Sequence, residues 1–90
     1  MKIFKYQLEV TDKQIIQMPR DAKILSAQCQ NDNLCIWALV NPNEPTVDRK
    51  FMVVGTGNPI DEENLFNSNF IGTTQQFNGG LVWHIFEVEI

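Results

Sequence analysis

His84 is the residue of this 90-residue chain whose type is most often used for general-base or metal-binding chemistry, and the chain has no other histidine. It stands between Trp83 and Ile85 in an apolar segment, a setting typical of a hydrogen-bonded structural histidine. No serine or cysteine has neighbours that indicate an activated nucleophile, so a catalytic triad is not indicated. We therefore predict a protein without enzymatic activity, and a small hydrolase that uses His84 is the alternative.

A Gly-Thr-Gly sequence at residues 55–57 follows an apolar strand and precedes Asn58-Pro59, where a helical turn is predicted to begin. Backbone N–H groups in such a place can hold a phosphate. The sequence is neither a Walker motif nor GxGxxG, however, and a plain turn also explains it. Charge for the same anion could come from Arg20, Lys23, Arg49 and Lys50, with a solvated surface as the alternative. The predicted ligand-binding residues are Arg20, Lys23, Gly55, Thr56, Gly57, Asn58 and His84.

The net charge of −4 is unevenly distributed along the chain. All seven basic residues lie in the first fifty positions, and residues 51–90 carry five acidic residues and no base. The chain therefore lacks the basic face with which a general nucleic-acid binder neutralises phosphates. Two or three cations in one pocket would still suffice for a small anionic ligand, and a cyclic nucleotide is one candidate.

Cys29 and Cys35 are the only cysteines, and they flank the predicted turn Asn31-Asp32-Asn33. A three-residue loop would place them directly opposite each other, within reach of a disulfide. Buried, reduced thiols are the favoured interpretation for a cytosolic protein. A single distant histidine and the lack of a CxxC motif argue against a zinc site, so no metal or cofactor is predicted.

Residues 1–90 are predicted to form one domain, because a chain of this length has room for a single core. No apolar run approaches the ~20 residues that cross a bilayer, and residues 1–3 lead straight into a strand instead of a signal-peptide core. We therefore predict a cytoplasmic protein without membrane contact. Such a small domain is only marginally stable by itself, which favours a homo-oligomer.

Alternating apolar and polar residues predict the strands, beginning with residues 3–10, where Phe4, Tyr6, Leu8 and Val10 share one face. Further strands are predicted at 14–18, 24–30, 34–40, 50–54, 70–77 and 81–90. The last two are joined through residues 78–80, and a proline-containing loop covers 41–48. The predicted fold class is mainly β: a small antiparallel sandwich or partly open barrel of six to seven strands with one short helical turn.

Two predicted strands, residues 34–40 and 50–54, are apolar on both faces. Such strands are usually covered on both sides, by a second layer of the same domain or by another subunit. Trp37 and Trp83 lie on the most apolar strands, and both are predicted to be core residues, with an interface as the alternative.

Four segments of the sequence resemble a family of short proteins encoded by phages and by prophage-bearing bacteria. These segments are MKIFKYQLEVTD, MPRDAKILSAQCQNDNLCIWALVNP, VVGTGNPI and FIGTTQQFNGGLVWHIFE. The resemblance covers nearly the whole chain, and GTGxPI and LVWHxFE are its more specific motifs. It carries over no activity and no functional residues. What it implies is context, because short phage proteins often inhibit bacterial defence, either by sequestering a nucleotide signal or by docking on a defence protein.

These observations favour a non-catalytic anti-defence binding protein that sequesters a nucleotide immune signal as a homo-oligomer. The first alternative is an inhibitor that docks on a host defence protein or enzyme through a sheet edge or an apolar face. The second alternative is a structural or accessory phage protein.

Overall fold

Seven β-strands form two antiparallel sheets in a computed structural model of the chain, which describes residues 1–89. The elements are β1 Lys2–Gln7, β2 Lys13–Pro19, β3 Lys23–Gln30, β4 Asn33–Val40, β5 Thr46–Gly55, α1 Glu62–Phe66, β6 Ser68–Gln76, a 3-10 turn Phe77–Gly79 and β7 Leu81–Val88. The predicted fold class, a mainly β sandwich with a short helical turn, is confirmed, and the described strands do not close into a barrel. Within the described residues, no helix is long and apolar enough to cross a membrane.

The two sheets pack around one main core. β1, β4 and β3 form a three-stranded sheet in that order, and β2, β5, β7 and β6 form a four-stranded sheet. Successive residues of a strand point to opposite faces, so about half of each strand faces inward. Both sheets contribute fully buried side chains, chiefly Leu34, Ile36, Val40, Phe51 and Ile85. Burial of each such side chain contributes about 1.5–3 kcal/mol, which makes this layer the main source of stability.

On one side of the sandwich the two sheets approach each other through their edge strands, β3 and β6. An added Cβ atom at Gly72 of β6 would lie 3.6 Å from Ala27 Cβ and 3.8 Å from Ala27 O, which are ordinary contact distances, so the approach does not depend on a glycine there. Both strands change register nearby, between Ile24 and Ser26 in β3 and between Phe70 and Gly72 in β6. Such irregularities bend an edge strand. β1 and β2 remain as the open edges of their sheets.

The central hairpin of β3 and β4 turns through two residues, Asn31 and Asp32. Their φ angles are 51° and 61°, the left-handed pair of a type I′ turn, and Asn33 already belongs to β4. This turn matches the right-handed twist of the flanking strands. The prediction that Asn and Asp make the turn is confirmed, whereas its predicted three-residue length is wrong.

The shorter turn changes where the two cysteines lie. Cys29 pairs with Leu34 and Cys35 pairs with Gln28, so the cysteines are offset by one residue and point to opposite faces of the sheet. Their predicted directly opposed position is therefore wrong, and both thiols are free. Cys35 is buried, and burial raises the pKa of its thiol above the ordinary value. Burial, the other part of the favoured interpretation, holds for Cys35 only, because Cys29 is half-buried.

The outer face of β4 is partly covered by long polar side chains from the neighbouring strands of the same sheet. Lys5 on β1 and Gln30 on β3 flank that strand, and Lys5 Nζ donates a hydrogen bond to Gln30 Oε1 at 2.7 Å. Cys35 lies between them on the outer face with only 2% of its surface exposed. Trp37 and Leu39, farther along the same face, stay half-buried. One chain therefore covers this strand only in part.

The outer face of β5 is covered more completely. Met52 and Val54 pack there against Ile60 of the following loop and Phe86 of β7. Their exposed fractions are 4% and 8%. This strand therefore needs no second subunit to bury its apolar residues.

Three predicted boundaries are wrong. The first strand, predicted over residues 3–10, ends at Gln7. The predicted loop 41–48 ends early, because residues 46–48 join β5 and pair with the end of β2. The predicted start of the helical turn at Asn58 lies too early in the chain. Asp61 is the N-cap instead, and its Oδ1 accepts a hydrogen bond from Glu63 N–H at 3.3 Å.

The C-terminal hairpin of β6 and β7 is confirmed, and its loop has unusual backbone angles. Phe77 and Asn78 have φ angles of 53° and 55°, followed by Gly79 at 89°. A phenylalanine in the left-handed region is strained. The N–H of Phe77 donates to Asp32 Oδ1 at 2.9 Å, which holds the loop in place. The predicted end of the last strand, Ile90, lies outside the described residues.

Replacing Phe77 with glycine is expected to raise the free energy of unfolding by about 1 kcal/mol, because glycine adopts a positive φ without a Cβ clash. The side chain is 59% exposed, so little buried contact is lost. Phe77→Ala is the matched control, since alanine removes the ring and keeps the Cβ atom. Urea denaturation measures both variants, and a Phe77→Gly stability at or below that of Phe77→Ala contradicts the expectation.

Candidate functional site

Residues 55–58, predicted to hold an anion, form a tight β-turn at the end of β5. Asn58 N–H donates to Gly55 O at 3.0 Å, and Gly57 has a φ of 87°, which glycine adopts without strain. Thr56 N–H donates to Val82 O at 3.2 Å. Two of the N–H groups that could surround a phosphate are therefore used inside the protein, which favours a plain turn.

His84 lies beside this turn, so the structure brings Thr56 and His84 of the predicted site together. His84 Nε2 is 2.7 Å from Thr56 Oγ1, and His84 Nδ1 is 2.9 Å from Thr73 Oγ1. In a neutral ring one nitrogen donates and the other accepts, and a threonine hydroxyl can do either. His84 thus fastens the turn to β6 and β7, as is typical of a structural histidine. Among residues 1–89, no group of three His, Cys, Asp or Glu side chains could hold a metal ion.

Arg20 and Lys23 lie far from this turn. Arg20 follows β2, its N–H donates to Pro45 O at 2.9 Å, and its guanidinium pairs with Glu44 at 2.7 Å. Gly55 is at the opposite end of β5, roughly 30 Å away at about 3.3 Å per residue. Lys23 begins β3 in the other sheet. The structure therefore does not bring these two cations into one pocket with the turn.

Arg49, another candidate cation, is engaged in the fold. Its guanidinium makes a bidentate pair with the Glu87 carboxylate and donates from Nη1 to Ala22 O at 2.9 Å. Hydrogen bonding to Glu87 raises the pKa of Arg49 above its ordinary value. The carboxylate neutralises the charge that an anionic ligand would need. Its neighbour Lys50 pairs across the sheet with Ile15 of β2.

A cavity of about 490 Å³ lies at the end of β5, next to the β-turn. The β1–β2 connection, the end of β5 and the loop before α1 enclose it. Met52, Val54, Ile60 and Trp83 supply its apolar walls. The volume falls within the roughly 300–1,000 Å³ of small-molecule pockets. It is large enough for a ligand of nucleoside size.

The rim of the cavity is polar and carries both signs of charge. Asp12, Lys13 and Asp61 line it, together with the side-chain amides of Asn58 and Asn64. The carboxylates and amide oxygens accept hydrogen bonds, whereas the ammonium and amide N–H groups donate them. Among the described residues that line the cavity, Lys13 is the one cation. With two carboxylates and one ammonium, the rim disfavours a polyanion and fits a ligand with several hydrogen-bond donors.

Gly55 and Asn58 are the predicted site residues that line this cavity. An added Cβ atom at Gly55 would lie 2.8 Å from Asn58 Nδ2 and 3.2 Å from Trp83 Cζ3. Because glycine has no Cβ atom, the Asn58 amide and the Trp83 indole can pack against the backbone at the end of β5. Trp83 packs against the main core, as predicted, and its Nε1–H donates to Gln76 Oε1 at 2.7 Å.

Most residues that line the cavity were not predicted as site residues. Asp12 and Lys13 come from a polar turn without a motif, and Asn64 comes from α1. The sequence offers one signal for these residues, which is that both segments are adjacent to apolar strands. Their meeting depends on the pairing of β2 with β5, in which Lys13 lies opposite Met52. The order of residues along the chain does not indicate that pairing.

Fold and site define the class of this protein, a small two-sheet β-sandwich domain with a ligand-sized cavity beside a β-turn. The chain belongs to the family described as Domain of unknown function (DUF7352), which matches residues 1–90. The family match and the sequence resemblance agree in their extent, because both cover all or nearly all of the chain. No curated protein and no solved structure matches the chain.

Proposed function

We propose that this chain is a non-catalytic binding protein that captures a small ligand in the cavity at the end of β5. The cavity itself carries the proposal, because about 490 Å³ of space combines apolar walls with a rim that holds Asp12, Lys13 and Asp61. The engagement of both His84 ring nitrogens supports binding over hydrolysis. In the phage setting that the sequence resemblance implies, the ligand is a nucleotide signal of host defence, captured in the host cytoplasm.

The chemistry of the cavity narrows the class of nucleotide. One lysine matches the single negative charge of a cyclic mononucleotide better than the charges of a polyphosphate. Asp12, Asp61 and Asn64 offer acceptors to the amino and imino groups of a base. The apolar walls around Met52 offer cover to its ring. A nucleoside cyclic monophosphate is therefore the first ligand to test.

Calorimetric titration against cyclic mononucleotides, cyclic dinucleotides and nucleoside triphosphates tests this proposal. We expect a cyclic mononucleotide to bind at micromolar concentration and a triphosphate to bind more weakly. Lys13→Ala should weaken binding about tenfold or more, because a hydrogen bond to a charged group contributes about 1.5–3 kcal/mol. The double variant Arg20→Ala with Lys23→Ala is the matched control and should bind normally, since both cations lie outside the cavity.

Two outcomes contradict the proposal. If no nucleotide gives heat at micromolar protein, capture of this ligand class is excluded. If Lys13→Ala and the Arg20→Ala/Lys23→Ala control lose equal affinity, the cavity is not the site. Thermal denaturation of each variant separates loss of binding from loss of fold.

A second function, docking on a host protein, is favoured by the tip of the C-terminal hairpin. Phe77 and Leu81 are 59% and 44% exposed there, and Phe77 keeps a strained backbone. Strain and exposed apolar surface at one loop are typical of a recognition site. A single stoichiometric partner recovered from host lysate would favour docking if Phe77→Gly abolishes its capture and Lys13→Ala does not.

A further inference from the structure

The three-stranded sheet and the helix α1 carry opposite charges. The strands of the three-stranded sheet, β1, β3 and β4, contain three lysines and no acidic residue. Residues 51–90 contribute five acidic residues and no base. Three of those acids, Asp61, Glu62 and Glu63, are exposed at the start of α1, directly after Ile60 has packed on the outer face of the four-stranded sheet. The strands of that sheet also carry Lys13 and Lys50, so the acidic surface is confined to the start of α1.

The outer face of the three-stranded sheet has an apolar centre. The register places Ile3 beside Leu39 and Lys5 beside Trp37, with Lys23 on the far side of Leu39. Ile3 is 60% exposed, and both residues of β4 are half-buried. We call these five residues the basic face. Apolar side chains between lysines are typical of an interaction surface.

The surface of α1 complements the basic face. None of the residues of α1 is buried, and Leu65 and Phe66 are 44% and 82% exposed. Glu62 and Glu63 precede them in the first turn of the helix. We call these four residues the acidic face. It offers apolar side chains and carboxylates to a basic, apolar partner.

We infer that the acidic face of one copy of this chain docks on the basic face of a second copy, head to tail. Pairing two basic faces would oppose lysines, and pairing two acidic faces would oppose glutamates, so both symmetric dimers are disfavoured. Faces of this size are smaller than the roughly 20–30 residues per partner of a standard interface, so the expected contact is weak and depends on concentration. The contact would also cover Trp37 and Leu39, which one chain leaves half-buried.

Head-to-tail contact has a consequence for the size of the assembly. A heterologous contact leaves one free face of each kind on an open chain of copies, which can add another copy until the rotation between copies closes a ring. The expected product is a series of oligomers whose mean size rises with concentration. Salt shortens the series, because it screens exposed charges. None of this depends on a ligand in the cavity.

Charge reversal on the two faces tests the inference. Lys5→Glu with Lys23→Glu makes both faces acidic, and Glu62→Lys with Glu63→Lys makes both faces basic. Each variant alone is expected to sediment as a monomer in analytical ultracentrifugation. An equimolar mixture is expected to assemble as the native chain does, since every contact then joins opposite charges.

A native chain that stays monomeric from micromolar to millimolar concentration overturns the inference, and so does a mixture of variants that does not assemble. Lys13→Glu with Lys50→Glu makes the same change of net charge on the four-stranded sheet and should assemble normally. Its failure to assemble would also overturn the proposed faces, because net charge alone would then govern association. If a charge-reversed variant does not fold, Phe66→Ser at its exposed position should still shift the native series toward monomer.

Discussion

Replacing Glu87 with alanine is expected to lower the free energy of unfolding by about 2–4 kcal/mol, because it leaves a charged partner largely out of water. The carboxylate accepts two hydrogen bonds from Arg49, whose Nη1 donates to Ala22 O at 2.9 Å. Both side chains of the pair are only 20% exposed. The hydrogen bonds that Arg49 donates to Glu87 raise the pKa of Arg49, and even without them an arginine stays charged at any working pH. Loss of a proton therefore cannot relieve the buried charge.

A surface ion pair of the same chemistry provides the matched control. Arg20 and Glu44 pair at 2.7 Å, but their side chains are 56% and 34% exposed. Water replaces the lost partner at such a site, so Glu44→Ala should cost no more than about 1 kcal/mol. Urea denaturation followed by tryptophan fluorescence measures both variants. Equal losses in Glu87→Ala and Glu44→Ala would mean that the Arg49 pair is as well solvated as the surface pair.

The double variant Arg49→Met with Glu87→Leu separates the cost of an unpaired charge from the cost of losing the other contacts of Arg49. It removes both charges and keeps much of the side-chain volume, so its stability should lie within about 1–2 kcal/mol of the native value. Arg49 lies on β5, Glu87 on β7 and Ala22 in the connection that enters the other sheet. A loss in the double variant as large as in Glu87→Ala would show that the contact to Ala22 O, rather than the unpaired charge, sets the cost.

Alternation along the sequence predicted most strands, because burial acts on every second residue of a strand. Tyr6 and Leu8, for example, pack against the core as predicted, whereas Phe4 and Val10, predicted for the same face, are exposed. The left-handed preference of Asn31 and Asp32 located the central turn. Alternation could not predict which strands pair. β2 pairs with β5 and β5 with β7, and these contacts join residues far apart in the chain.

The same limit explains why the candidate site was predicted only in part. Gly55 and Asn58 line the cavity because the turn that contains them is a local structure. Arg20 was grouped with them on charge alone, and β5 separates the two regions by its full length. Lys13, which the sequence did not single out, reaches the cavity through the pairing of β2 with β5. Composition indicates that cations exist, whereas strand pairing decides which one reaches the cavity.

Gln76→Glu is expected to lower the free energy of unfolding by about 2–4 kcal/mol at neutral pH, although the two side chains have nearly the same shape. Gln76 is 8% exposed, its Oε1 accepts from Trp83 Nε1 at 2.7 Å, and its Nε2 donates to Asp32 O at 2.7 Å. A carboxylate keeps the first hydrogen bond and turns the second into a contact between two acceptor oxygens. The bond to Asp32 also ties the central turn of one sheet to β6 of the other.

The pH dependence of this variant separates the electrostatic cost from a packing defect. Burial beside a carbonyl oxygen should raise the folded-state pKa of the introduced carboxyl above the ordinary ~4.3 of glutamate. Stability should therefore approach the native value below about pH 4, where the protonated carboxyl can donate to Asp32 O, and be lost as the pH rises through the folded-state pKa. Gln75→Glu, at the exposed neighbouring position, should stay within about 0.5 kcal/mol of the native chain at each pH. A loss in Gln76→Glu that does not change with pH would instead assign the effect to packing at the turn.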